Sequence, residues 1–242
     1  MSSEAISNTG WDGAHSERTK KMVLYLGIFS IIMLFAGFSS AYIVTSYSEL
    51  WVSMSVPKAF YISTVLILLS SLTIHLAVKA SNENNEAQAR SYLWITLALG
   101  LGFGVSQYVG WAQLVQLGAH LSGHVDSLDG AYGEDYTITY KGQELIYEKG
   151  DYYFPGDDLR EKPLYNEIAI FNNASSSYIY VLSFVHLLHV LGGILFFLVL
   201  LFAVYVLKRP QINNLRLRLG ATYWHFVDIL WIYLLLFLVF IH

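Results

Sequence analysis

The sequence contains no cysteine. That absence excludes disulfides, thiolate metal sites and thiol catalysis, and it leaves the redox compartment unreadable. Charge is scarce as well. Asp, Glu, Lys and Arg together make up 13% of the 242 residues, where a soluble domain carries about a quarter. The basic residues form no cluster large enough to track a phosphate backbone, and the net charge is −4, so nucleic acid drops out as a partner. The first 21 residues are polar and lack the short apolar core and small-residue cleavage site of a secretory signal. No apolar stretch carries a nucleophile with a base and an orienting third group, so no catalytic constellation is expected on the chain. None carries the Glu-x-x-His motifs of a di-iron bundle.

What the sequence has in abundance is apolar. Hydrophobic residues reach 55% of the chain and the mean hydropathy is +0.47. Five apolar runs are long enough to cross a bilayer, at 22–47, 59–80, 91–117, 178–207 and 222–241. They predict an all-α transmembrane fold, a five-helix membrane bundle with a small extramembrane β-hairpin insertion. The chain divides accordingly into an N-terminal segment at 1–21, helices at 22–117, an insertion at 118–177 and helices at 178–242.

Orientation follows from the short loops. Arg18, Lys20 and Lys21 precede the first run, Lys79 and Arg90 bracket the loop after the second, and Lys208, Arg209, Arg216 and Arg218 lie between the last two. All fall on one side of a five-helix alternation, against a single Lys58 in the short opposite loop. The N-terminus is therefore expected in the cytoplasm, and His242 with segment 118–177 outside. That segment holds eleven acidic residues against four basic ones. Tyr136–Tyr140, Lys141-Gly142 and Gln143–Tyr147 alternate and turn like a β-hairpin, which alone is marginal in water and so should lean on the bundle or a partner. Asp151 and Asp157-Asp158 do not match an EF-hand loop, so partner docking or surface cover is the reading.

Polar residues inside the apolar runs are the anomaly, because lipid offers them nothing. In the last run His225 and Asp228 sit three apart on one helix face, with Trp224 and Trp231 beside them seven apart. A carboxylate bonded to His225 or to a neighbouring hydroxyl is the packing reading for Asp228, and a protonatable relay the functional one. His186 and His189 share a face of the fourth run, so they cannot flank one haem, and the depth of His225 near its helix start matches them poorly. Polar glue between helices is preferred over haem ligation for all three. His75 lies near the cytoplasmic end of the second run, where a lipid headgroup is within reach. The third run is rich in small residues at Gly100, Gly102, Gly104 and Gly110, which suits close helix packing. A transporter reading lacks inverted halves or broken helices.

Tyr223-Trp224-His225-Phe226-Val227-Asp228 followed by Trp231 resembles the last helix of subunit III of the haem–copper respiratory oxidases. His186-x-x-His189-Val190-x-x-Gly193 is similar to the helix before it, Phe35-Ala36-Gly37-Phe38 and Ser70-Ser71 to earlier ones, and Gln107 with Trp111 to the third. Two departures stand out: Ile31 and Gly110 replace glutamates of the family, and its connection at 118–177 is usually short. The role of the first carboxylate, such as modulating proton entry, therefore does not carry over. The resemblance implies an accessory core subunit of a bacterial inner-membrane complex. It implies no haem or copper on this chain, with haem a and copper in partner subunits. It further implies a main contact with subunit I, association with subunit II and other respiratory subunits, and bound phospholipid. For the complex it implies oxidation of cytochrome c, reduction of dioxygen to water and proton pumping, which the subunit helps to sustain. A quinol oxidase subunit III is the alternative, and a haem-b electron carrier the rival from another class. His225, Asp228, His186, His189 and Gln107 are the packing or relay candidates, and His75, Arg216, Arg218 and Trp224 the candidate headgroup contacts.

Overall fold

The computed structural model describes residues 8–157, 159–205 and 212–241, with side chains from residue 17 onward and Asp126 excepted. The expected helix stop at Lys208-Arg209-Pro210, Asp158 and the terminal His242 lie outside the described residues, as do residues 1–7. Five long helices are α1 (Asn8–Ser46), α2 (Lys58–Asn82), α3 (Glu86–Gln116), α5 (Ala174–Tyr205) and α6 (Asn214–Phe240), with a single turn, α4 (Tyr165–Ile168), before α5. All five are long and apolar enough to cross a membrane, and with the small antiparallel strands they bear out the expected fold class.

The helices overrun the apolar runs because polar caps start them. Asn85 accepts a hydrogen bond from the Gln88 backbone N–H (3.2 Å) and Asn213 from that of Arg216 (2.9 Å). An Asx side chain at this position satisfies an amide that the first turn leaves unpaired. The last helix therefore begins at Asn214 and not at the expected residue 222. In the bundle α2 and α3 form an antiparallel pair, α6 packs on α2 and α5, α3 packs on α5, and α1 lies outermost against α5 and α6. Glycine permits the closest of these approaches. A Cβ on Gly110 would stand 2.3 Å from the Phe60 ring, and one on Gly193 2.8 Å from Trp224. A glutamate at position 110 would have no room here, since Phe60 fills its volume.

The extramembrane hairpin is part of a larger structure than the sequence suggested. Strand β1 (Leu50–Met54), from the loop between α1 and α2, pairs antiparallel with β2 (Tyr136–Tyr140) in register Leu50↔Tyr140 to Met54↔Tyr136. Strand β3 (Gln143–Glu144) closes that sheet, while β4 (Ile146–Glu148) and β5 (Asp151–Tyr153) form a second hairpin. Gln143–Tyr147 is thus not one strand; it breaks at the buried Leu145. Both turns are Lys-Gly pairs with positive φ at each residue, 51° and 77° at Lys141-Gly142 and 53° and 90° at Lys149-Gly150. Such turns match the strand twist, and the glycine adopts its angle without a steric penalty.

The segment is fastened inward by side chains. Tyr136 and Tyr152 share a hydroxyl hydrogen bond of 3.0 Å, and Tyr132 OH donates to the Leu145 carbonyl at 2.6 Å. Burial pushes all three phenols above the ordinary tyrosine range. Trp51 meets Tyr42 of α1 edge-on at 5.0 Å, and Tyr180 OH of α5 donates to the Ala119 carbonyl at 2.9 Å. The sheet therefore leans on the bundle, as a small hairpin must.

The glycine packing gives a direct test. Gly110→Ala drives a methyl into Phe60 and should cost about 1–3 kcal/mol in thermal or denaturant unfolding of the detergent-solubilised chain. Gly102→Ala, whose Cβ would find only Leu66 at 3.6 Å, should leave the unfolding curve in place.

Candidate functional site

Helix α6 is where the polar contacts of the bundle converge. Trp224 Nε1 donates to Ser70 Oγ and Trp231 Nε1 to Thr64 Oγ1, both at 2.9 Å. Tyr233 OH donates to Ser39 Oγ and Tyr223 OH to the His189 carbonyl, again at 2.9 Å. One helix is thereby tied to α1, α2 and α5. The spacing explains the double bond to α2. Trp224 and Trp231 stand two turns apart on one face, and Thr64 and Ser70 offer their hydroxyls at a matching interval on the facing helix.

The pair that the sequence singles out is brought near α2 but not to itself. Ser71 Oγ and His225 Nδ1 are 2.6 Å apart, so His225 spends that nitrogen on α2 and not on Asp228. Asp228 is 2% exposed, and beyond Ser71 neither carboxyl oxygen has a polar partner among the described residues. The Ser71 hydroxyl lies beside it. The expected bond from Asp228 to His225 is therefore not made, and of the neighbouring hydroxyls it is that of Ser71 that stands against the carboxyl. The early start of α6 also places His225 about three turns inside its helix rather than at the edge. There its ring centroid lies 6.5 Å from that of His75.

The two histidines of α5 part company. His189 Nδ1 lies 2.7 Å from the Val185 carbonyl of its own helix. His186 is fully buried and neither ring nitrogen is paired. Its ring is enclosed by Phe103, Phe35 and Trp231, with centroids 5.6, 6.5 and 5.2 Å away. Aromatic faces are weak acceptors for an N–H, so the cage suits a neutral imidazole. It also occupies the volume in which a macrocycle would have to lie, so the residues present do not fit a haem on His186. Among the described residues no three His, Asp or Glu side chains converge to hold a metal ion.

Gln107 Nε2 donates to Ser63 Oγ and Trp111 Nε1 to Ser183 Oγ, each at 2.9 Å, while Gln107 Oε1 stays unpaired. Two further links went unread in the sequence: Thr73 and Thr96 share a bond of 2.8 Å, and Ser106 donates to the Ala59 carbonyl at 2.8 Å. Hydroxyls in apolar helices bond back to their own turn as readily as across, so sequence alone does not choose between them.

Of the candidate headgroup contacts, His75, Arg216 and Arg218 are exposed. Trp224 is 1% exposed and bonded to Ser70, so it serves the interior instead. A groove of about 540 Å³ runs between α1, α5 and α6, floored by Gly192, Gly193, Gly220, Val23 and Phe196. Lys20 and Arg216 flank it.

No protein-family model matches the chain. It is similar to a probable cytochrome c oxidase subunit 3 of Nocardia farcinica, 25% identical over 213 residues, covering 84% of this chain and 78% of that protein. A cytochrome c oxidase subunit 3 of Alkalihalophilus pseudofirmus is 24% identical over 174 residues, covering 72% of this chain and 61% of the relative. The cytochrome bo(3) ubiquinol oxidase subunit 3 of Buchnera aphidicola is 23% identical over 172 residues, covering 71% and 65%. In the last two cases the chain spans less than two thirds of the relative's length. The resemblance to subunit III, read first in the final helix, is supported by all three.

The cage around His186 makes a prediction opposite to the usual one for a buried polar residue. Replacing an unpaired polar group by an apolar one of similar shape is nearly neutral or stabilising. His186→Leu should therefore shift unfolding by less than about 1 kcal/mol. A loss of several kcal/mol in the same thermal melt would mean that the imidazole is hydrogen-bonded.

Proposed function

We propose that this chain is subunit III of a bacterial haem–copper oxidase of the cytochrome c oxidase type, seated in the inner membrane with its N-terminus in the cytoplasm. It is an accessory subunit: haem a and copper belong to its partners, and the complex oxidises cytochrome c, reduces dioxygen to water and pumps protons. The observation that carries the reading is the last helix, whose Trp224, His225 and Trp231 bond to Ser70, Ser71 and Thr64 of α2. Three relatives of the same subunit stand alongside it. The bo(3) relative favours a second reading, subunit III of a quinol oxidase.

The contribution of such a subunit is mechanical and electrostatic. It braces subunit I within the membrane and helps sustain proton uptake and turnover. The face offered to subunit I includes α1, the least buried of the long helices. Gly27 and Gly37 on α1 have no atom of this chain within 4 Å of a Cβ position, so a partner backbone can approach there. Phospholipid fits the groove between α1, α5 and α6, with Lys20 and Arg216 on the phosphate and an acyl chain over the glycines. The acidic segment at 118–177 faces the periplasm, where it docks a partner such as subunit II or another respiratory component.

Gentle-detergent purification of the tagged chain tests this, with a reduced-minus-oxidised spectrum and mass spectrometry of what accompanies it. The expected result is haem a and a large multi-span partner, both lost when the chain is stripped bare. In the same preparation Asp228→Asn should leave haem content unchanged while shortening sustained turnover. Haem b retained by the isolated chain, or a haem band lost in the variant, would contradict the accessory role.

A further inference from the structure

The seam between α2 and α6 holds a graded set of protonatable groups. Ser71 and His75 lie four apart on α2, and His225 and Asp228 three apart on α6, so each pair shares a helix face. The 2.6 Å contact of Ser71 with His225 joins the two faces. Exposure falls along the set: His75 is exposed, His225 half-buried and Asp228 2% exposed. The imidazole centroids of His75 and His225 stand 6.5 Å apart with the rings tilted by 51°. At the inner end, the hydroxyl bonded to His225 stands beside a carboxyl that has no other polar neighbour of hydrogen-bonding geometry. The ion pairs among the described residues, Lys21–Glu17, Lys141–Glu49 and Arg160–Glu148, all lie elsewhere. One hydroxyl shared with His225 does not balance a carboxylate buried in an apolar bundle, so the carboxyl balances its charge with a proton, and that proton needs a route.

We propose that this seam is a proton-exchange site, in which the Asp228 carboxyl takes up and releases one proton through Ser71, His225 and His75. The steps balance without any co-reactant. His75 accepts a proton from water at one ring nitrogen and gives one up from the other to water, which passes a proton to His225 Nε2. His225 then releases its Nδ1 proton to Ser71 Oγ, and the hydroxyl hands its own hydrogen to the carboxylate. The reverse sequence empties the site. The groups along the path are His75 and, one turn further out, Lys79 on α2, with His225 and, two turns further out, Arg218 on α6. On α1, Glu17 lies within electrostatic reach of Arg218, and the α3 link to α2 there is the hydroxyl pair Thr73 and Thr96. The proposal deepens the oxidase reading and rests on it only for naming the outer end as cytoplasmic.

Infrared spectroscopy of the full chain, in its complex or purified in detergent, tests the site without reference to oxidase activity. A carboxyl C=O band that appears and disappears with pH should be present in the native protein and absent in Asp228→Asn. On transfer to D2O that band should shift quickly, and His75→Phe combined with His225→Gln should slow the shift by about tenfold or more. Ser71→Ala, which removes one oxygen and keeps the helices packed, should slow it as well. A pH-dependent band unaffected by Asp228→Asn would overturn the proposal. So would an exchange rate unchanged in the histidine and serine variants, which is what a purely structural seam gives. Failure of the oxidase reading would show in the co-purifying components and would leave these infrared outcomes untouched.

Discussion

The constraint on which the structure depends is that a polar group in hydrocarbon must find its partner within protein. Helix α6 meets it by sending Tyr223, Trp224, His225, Trp231 and Tyr233 to hydrogen-bond partners on three other helices. Lipid tails are as apolar as leucine, so no hydrophobic force draws these helices together. What does is close packing, permitted at Gly110 and Gly193 where large rings enter the space of a side chain, and the hydrogen bonds that come with it. The indoles serve both ends, since each buries a large surface and directs one N–H at a hydroxyl.

Three buried side chains stand outside this pattern, and their difference is informative. His186 is unpaired but wrapped in aromatic rings, which tolerate a neutral imidazole. Gln107 satisfies its amide N–H and leaves its oxygen free. Asp228 alone combines a full carboxyl group with burial and no polar neighbour beyond the Ser71 hydroxyl, and it alone lies at the end of a chain of imidazole and hydroxyl groups leading outward.

The five helices were legible because twenty or more apolar residues in a row have few other uses. The polar residues of α6 were legible for the converse reason, that they are costly where they stand. Their partners were not. Helical spacing places His225 and Asp228 on one face and suggests a bond between them. The rotation of α6 against α2 that gives Nδ1 to Ser71 depends on packing at Gly100, Gly193 and Trp224, which no periodicity reveals. The apolar run begins near Trp224 and so suggests an interfacial residue, whereas the helix begins at Asn214 under the cap of Asn213. Outside the bundle the Lys141-Gly142 turn announced itself by its glycine. The pairing of β2 with Leu50–Met54 did not, since five residues in a short loop carry little pattern and their partner lies far along the chain.

The claim that α6 holds the bundle through matched hydrogen bonds is tested most directly by a double-mutant cycle on Trp231→Phe and Thr64→Ala, read by unfolding of the detergent-solubilised chain. A real bond between these side chains predicts a coupling energy of about 0.5–1.7 kcal/mol, the range measured for hydrogen bonds inside membrane bundles. Purely additive single-mutant effects would mean that the indole contributes by volume alone, and that α6 is held by packing without the polar ladder described for it.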